Sequence, residues 1–287
     1  LQRSIHITRT DGLPLEYSVI DGNESPLLIM HGGHSDCREE LGYSALARQG
    51  HRIITPSRPG YGFSSPALGD SLSRACRAYC SLLDELGIER VHVIAVSAGG
   101  LSGIYFAGEH PDRVASLTLQ SAISKPWLNG QNLSYSLTRV LFHPRFEKFT
   151  WAMTKLLNTL SPLHCFKMLA PSLSVLPFKH IAPCLDDNAH NQFARMIQRQ
   201  RSRLGFALDI QHSETLTPDH LRAVRCRTLI QHSVNDQAVS PDHARHAHRF
   251  IAGSKLQLLD SWGHLIWIGR GSEEVDREVL AFLQLSK

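Results

Sequence analysis

Ser97, Asp236 and His264 lie far apart in the chain, yet each follows directly on a run that reads as a β-strand. A serine hydroxyl is a poor nucleophile because it must lose its proton as it attacks. An imidazole within hydrogen-bonding distance can take that proton, and a carboxylate can hold the imidazole in the tautomer that does so. These residue types point to two-step acyl transfer. Ser97 would attack a carbonyl, His264 would take the proton and pass it to the leaving group, and Asp236 would orient His264. Water activated by the same histidine would then release the acyl group.

For the three to meet, their strands must end on one edge of a sheet. Val91 to Val96 is apolar and rich in β-branched residues, and it breaks at Ser97-Ala98-Gly99-Gly100 into a helical pattern, which puts Ser97 in a tight strand-to-helix turn. Leu27 to Met30 is a short apolar run that stops at His31-Gly32-Gly33-His34. Arg52 to Thr55, Val114 to Leu119, Arg227 to Gln231 and Lys255 to Leu259 repeat the rhythm. Helices are expected around Leu41 to Gln49, from a cap at Asp70 or Ser71 to Gly87, over Gly100 to Glu109, from Ser240-Pro241 to Phe250, and at the end around Val275 to Leu283. Ile5 to Thr10 and Leu15 to Val19 flank Asp11-Gly12, a hairpin signal that predicts an antiparallel edge. Buried strands alternating with helices predict an α/β fold with a mostly parallel central sheet covered on both faces.

The rhythm stops between Ser121 and Asp209. There Trp127, Leu133, Phe142, Phe146, Phe149, Trp151, Met153, Leu156, Leu157, Phe166, Met168 and Leu169 occur in helical pieces separated by prolines. The pattern predicts a helical cap over 122–209, inserted into a core made of 1–121 and 210–287. Its apolar residues would be divided between its own packing and a pocket lining.

The 287 residues are 42% hydrophobic and 20% charged, without repeats or low-complexity tracts, which fits a globular chain. The formal charge of +4 is scattered and forms no basic run, so a small-molecule substrate is expected rather than nucleic acid. No apolar window is long enough to span a membrane. The first residues show no signal-peptide core, although the chain opens on leucine rather than methionine. Six cysteines without metal-type spacing read as free thiols, which suggests a cytoplasmic protein.

Taken together, the motifs make the chain resemble an α/β-hydrolase fold enzyme of the capped serine hydrolase kind. Ala95-Val96-Ser97-Ala98-Gly99 resembles the nucleophile elbow, with alanine where glycine is usual. His31-Gly32-Gly33 resembles the oxyanion loop, and Pro59-Gly60-Tyr61-Gly62-Phe63-Ser64 resembles the glycine-rich segment after the next strand. Asp236 and Gly263-His264 complete the match, which covers roughly 5–120 and 222–286. The resemblance implies that the backbone amides of Gly33 and Ala98 stabilise the oxyanion. The family sometimes draws its acid from the strand before, but Gln120 to Ser124 holds no carboxylate, and Asp209, Asp260 and Glu214 suit a strand end less well than Asp236.

Around that centre, Gly32 and His34 are expected to contact substrate, while His34, Ser35, Asp36 and Arg38 can equally cap the next helix. Trp127 and Trp262 are expected as cap and rim contacts, with core packing as the alternative. His31 and His232 read as bracing residues, and Arg58 as a brace acting through carboxylates. His243, His246 and His248 lack a paired carboxylate and a zinc signature, so no metal is expected. The glycine-rich turns lack phosphate-loop and dinucleotide spacing, so no cofactor is expected. An aromatic cap suggests a small or medium, partly apolar ester as the first choice. Cleavage of a carbon–carbon bond in a diketone-like compound is the runner-up, followed by amide, lactone or aminopeptidase chemistry. A binding protein that keeps the fold without turnover is the alternative from another class.

Overall fold

Asp11 and Gly12 both take left-handed backbone angles (φ 53° and 74°) and fold β1 (Ser4–Thr10) back on β2 (Leu13–Ile20) as the antiparallel edge of the sheet. The computed structural model describes residues 2–40, 42–127 and 141–285. Leu41 and Leu133, both named in the sequence expectations, lie outside them.

The sheet continues through β3 (Glu24–Met30), β4 (His51–Pro56), β5 (Val91–Val96), β6 (Val114–Gln120), β7 (Arg227–Ser233) and β8 (Lys255–Leu259), in the order β1-β2-β4-β3-β5-β6-β7-β8. β2 pairs antiparallel with β4, and every later pairing is parallel. Helices cover both faces. They are α1 (Ser44–Arg48), α2 (Leu72–Glu85) capped by Ser71, α3 (Gly99–Glu109), α10 (Asp242–Phe250) and α11 (Ser272–Gln284) in the core. Between β6 and β7 the chain inserts α4 (Glu147–Leu160), α5 (Pro162–Leu173), α6 (Phe178–Ile181), α7 (Asp187–Arg199), α8 (Gly205–Thr215) and α9 (Pro218–Arg222). This is an α/β fold with a largely parallel sheet and a cap-like helical insertion.

The central strands are buried along their length because helices lie on both sides: Leu27, Leu28, Ile29 and Met30 have no exposed surface, and all of β5 is buried. The elbow fits only small residues. A Cβ on Gly99 would stand 2.1 Å from the Met30 carbonyl oxygen, and one on Gly103 would stand 2.4 Å from the Ala95 methyl. Alanine at the usual glycine position is therefore accommodated by glycine at 103 in the facing helix.

Three expectations change. The helix near residue 41 is short and begins at Ser44. The expected cap boundary after 209 falls inside α8, which runs unbroken from Gly205 to Thr215 and ties the insertion to the core through Asp209 and His212. Several cap apolar residues, among them Phe149, Met153, Leu156 and Met168, pack neither on the cap nor around a pocket but face outward. All six cysteines are free thiols. Among the described residues no helix is long and apolar enough to cross a membrane.

Candidate active site

The parallel strands β5, β7 and β8 deliver Ser97, Asp236 and His264 to one edge, as their places after strand ends require. His264 Nε2 lies 3.0 Å from Ser97 Oγ, and His264 Nδ1 lies 2.7 Å from Asp236 Oδ2. Asp236 and His264 are buried, while Ser97 keeps some exposure. With its Nδ1 proton held by the carboxylate, the imidazole presents a lone pair at Nε2 to the serine hydroxyl, the arrangement a general base needs.

Ser97 sits at φ 51°, a conformation that costs a non-glycine residue free energy and persists only where neighbours fix it. Here the Ser97 amide donates to the Gln120 carbonyl at 3.0 Å, and the Ser97 carbonyl accepts from the Gly100 and Ile123 amides, both at 2.9 Å. Ser121, at φ 48°, repeats the device one strand along: its amide donates to Gln231 and its hydroxyl to the His264 carbonyl.

Asp236 is held from several sides. Its Oδ1 accepts from the Val239 amide at 2.9 Å, and His232 Nε2 lies 3.1 Å from its Oδ2. His232 Nε2 also faces the Val239 carbonyl at 2.8 Å, so it is the protonated nitrogen, and the buried Nδ1 has no partner among the described residues. Burial works to raise the pKa of Asp236, but His264, and then His232, outweigh it and hold the carboxyl at about 2. The cap also reaches this edge. The Leu173 carbonyl accepts from the His264 amide at 2.8 Å, and the Asn235 carbonyl accepts from the Val175 amide at 3.0 Å.

The loop 31–34 passes beside the elbow. A Cβ on Gly32 would lie 3.3 Å from Ser97 Cβ, and one on Gly33 would lie 3.9 Å from Ala98 Cβ. Among the described residues neither the Gly33 nor the Ala98 amide has a backbone acceptor. The loop is fixed from behind by Arg58, whose Nε donates to the His31 carbonyl at 2.7 Å and whose terminal nitrogens reach the Gly32 carbonyl and both oxygens of Asp209. Tyr61 Oη donates to Asp209 at 2.6 Å. Burial works against the Arg58 charge, but Asp209 more than offsets it and keeps the guanidinium protonated. His31 Nε2 accepts from the Arg58 amide, so its proton sits on Nδ1 and is donated to the Gly32 carbonyl.

His34 closes the site on the cap side. Its ring packs against Phe142 and Phe206, with centroids 4.3 and 4.2 Å away, and against Trp151 at 5.3 Å. Ser202 Oγ accepts from Trp151 Nε1 at 2.8 Å and lies 2.7 Å from His34 Nδ1. With Ser202 as the donor to Nδ1, the neutral imidazole carries its proton on Nε2. Burial pushes the His34 pKa down to about 3, against a weak opposing pull from Glu147. Phe142 and Phe206 also border a cleft of about 550 Å³ between residues 142–144 and α8.

The remaining candidates fall elsewhere. Ser35 donates to Glu39, and Arg38 pairs with Glu16 and Asp36, so these three brace the loop. Trp127 packs edge-on to Phe206 and donates its indole N–H to the Ala238 carbonyl. Trp262 is a correction: it is fully buried against Phe166, with its indole N–H given to the Ile268 carbonyl, and so lies in the core rather than on a rim. His243 Nδ1 accepts from the Ser124 amide, and His248 bonds Ser254. Among the described residues no group of three ligating side chains could hold a metal. Ser121, Ser202 and the Leu173 carbonyl were not foreseen, since nothing local in the sequence distinguishes them.

Residues 25–270 match the family model described as alpha/beta hydrolase fold. The chain belongs to the alpha/beta hydrolase fold family. It is 47% identical over 284 residues to an uncharacterized hydrolase, YcgS, of Bacillus subtilis (strain 168), a match that covers 99% of this chain and 100% of the relative. It is 27% identical to a 2-hydroxy-6-oxononadienedioate/2-hydroxy-6-oxononatrienedioate hydrolase of Klebsiella pneumoniae, over 85% of this chain and 82% of that one, and the same name recurs among further bacterial relatives. Among solved structures, an alpha/beta hydrolase fold protein from Nakamurella multipartita superposes with a TM-score of 0.85 at 24% identity, over 99% of this chain and 100% of that one.

Proposed function

We propose that this chain is a serine-dependent hydrolase of a small, partly apolar carbonyl compound, working through an acyl-enzyme on Ser97. The observation that carries the reading is the line Ser97 Oγ, His264, Asp236, at 3.0 and 2.7 Å. Ser97 adds to the carbonyl as its proton passes to His264 Nε2. The Gly33 and Ala98 amides receive the oxyanion, and collapse of the adduct expels a leaving group that takes the proton from His264. Water then loses a proton to His264, attacks the acyl carbon and restores the Ser97 hydroxyl as the acid departs.

Of the bonds such a centre can cleave, we favour the carbon–carbon bond of a diketone-like compound over the ester that the sequence put first. The recurring relatives are named for substrates that carry 2-hydroxy and 6-oxo groups on one unsaturated chain. In that class the 2-hydroxy dienol first ketonises, losing its hydroxyl proton as C5 gains one, so that breaking C5–C6 leaves a carbanion delocalised onto the 2-oxo group as an enolate, and His264 would protonate that carbon rather than an alkoxide. The neutral Nε2–H of His34, next to Gly33, is suited to hold an oxygen of such a substrate. Arg58 is committed to Asp209 and Arg201 to Glu147, so neither is a free receptor for a carboxylate. The aromatic ring cluster around His34 favours an apolar substituent.

The test compares a 2-hydroxy-6-oxo dienoate bearing an apolar group at C6 with a short-chain chromogenic ester, alongside labelling by a serine-directed phosphonate. Expected are stoichiometric labelling of Ser97, a higher kcat/KM for the dienoate, and loss of every signal in Ser97→Ala. Ester turnover without dienoate turnover would return the reading to an esterase. A folded protein that neither labels nor turns over would overturn serine chemistry and favour a ligand-binding role.

A further inference from the structure

Helix α4 buries one face and leaves the opposite one apolar. Glu147, Trp151 and Asn158 point inward, while Phe149, Met153, Leu156 and Leu160 stand at spacings of four, three and four on the other side, with Phe146 just ahead of them. These are not half-covered edges: Phe149 is 70% and Leu160 75% exposed. Leu163 and Met168 on α5 are exposed as well. A stripe of this length, about 20 Å for a 14-residue helix, is longer than the scattered apolar exposure usual for a monomer.

The charge around it is one-sided. Arg145 and Lys148 are exposed at the start of α4, and Lys167 and Lys179 are exposed on α5 and α6, whereas the one acid over residues 141–185 is Glu147 and the next two, Asp186 and Asp187, stand at the start of α7. Glu147 is buried, accepts from Arg201 and the Ser202 amide, and contributes nothing to the outer surface.

We propose that the outer face of α4 docks on the surface of an anionic lipid bilayer, lying in the interface rather than crossing it. An apolar stripe bordered by lysines meets the two demands of such a surface, acyl chains below and negative headgroups beside. A second copy of the chain fits less well, because it would bring the same basic border against this one. The inner face of the same helix carries Trp151, which holds Ser202 and through it His34. A docked α4 would thus place the candidate site about one helix diameter from the membrane.

Flotation of the full chain with vesicles tests this directly, using phosphatidylcholine alone and phosphatidylcholine mixed with phosphatidylglycerol. The protein is expected to float with the anionic vesicles and to release as salt is raised. Phe149→Ser with Leu160→Ser should lower the bound fraction at least about tenfold, and Lys148→Glu with Lys167→Glu about 25-fold or more at roughly fivefold per charge lost. Circular dichroism melts should show both variants folded. Absence of flotation, equal flotation of the serine variant, or a dimer by light scattering that the serine variant dissolves would each overturn the proposal.

Discussion

The Ser121 hydroxyl donates to the His264 carbonyl at 2.8 Å, so the residue that follows β6 holds the loop that carries the proposed base. Ser121 is itself tied to β7 through its amide, and the Ser97 amide is tied to the last residue of β6. Ser97 and His264, the proposed nucleophile and base, are therefore referenced to the same strand end. Ser121→Gly removes the hydroxyl while accepting the left-handed backbone. We expect kcat and the rate of phosphonate labelling to fall together by about tenfold with KM little changed, the pattern of a misplaced base. A rise in KM with kcat intact would show that Ser121 does not position His264.

Arg58 and Asp209 form a buried pair that joins the loop at His31 and Gly32 to α8. Removing one partner strands the other charge. Asp209→Ala should cost about 3–5 kcal/mol in urea unfolding, whereas combining it with Arg58→Met should recover a good part of that loss. If the double variant were as unstable as the sum of the two singles, the pair would not be acting as a coupled unit.

Much of this was legible in the chain. The sheet strands announce themselves because burial on both faces requires continuous apolar runs, and Ser97, Asp236 and His264 stand out because each follows such a run. The Ala95 elbow and the Asp11-Gly12 hairpin were equally readable. The cap was not. Its helices bury one thin face each, so periodicity alone could not say that Phe149, Met153 and Leu156 point to solvent while Trp151 points inward. The contact of Ser202 with His34 spans 168 residues and leaves no local trace. Trp262 beside Gly263-His264 reads as a rim residue, but the loop turns its indole inward onto the Ile268 carbonyl, where the core is deep enough to hold it.

His34 should remain neutral throughout the range in which the enzyme can be assayed, because burial among the rings has driven its pKa down to about 3. Its proposed work is hydrogen-bond donation from Nε2, with Ser202 fixing the tautomer. His34→Phe keeps the ring and loses the donor. It should lower kcat/KM by about tenfold, the worth of one hydrogen bond to substrate. Ser202→Ala should produce a smaller loss, and neither change should move the pH profile. A shifted profile in His34→Phe would mean that the imidazole titrates and takes part in proton transfer.

Asp236 makes stability depend on acid in a direction that can be stated in advance. Its folded pKa, about 2, lies below the ordinary aspartate value, so the folded protein holds the ionised form more tightly than the unfolded chain does. The stabilisation is fully present above about pH 4 and is lost as pH falls through the folded value; its size is on the order of 2 kcal/mol. Urea unfolding of wild type and Asp236→Asn at pH 5, 4 and 3 should show the wild-type midpoint falling more steeply, since the variant has no carboxylate to protonate there. Parallel curves for the two proteins would mean that the imidazoles of His264 and His232 do not hold this carboxylate ionised in the folded state.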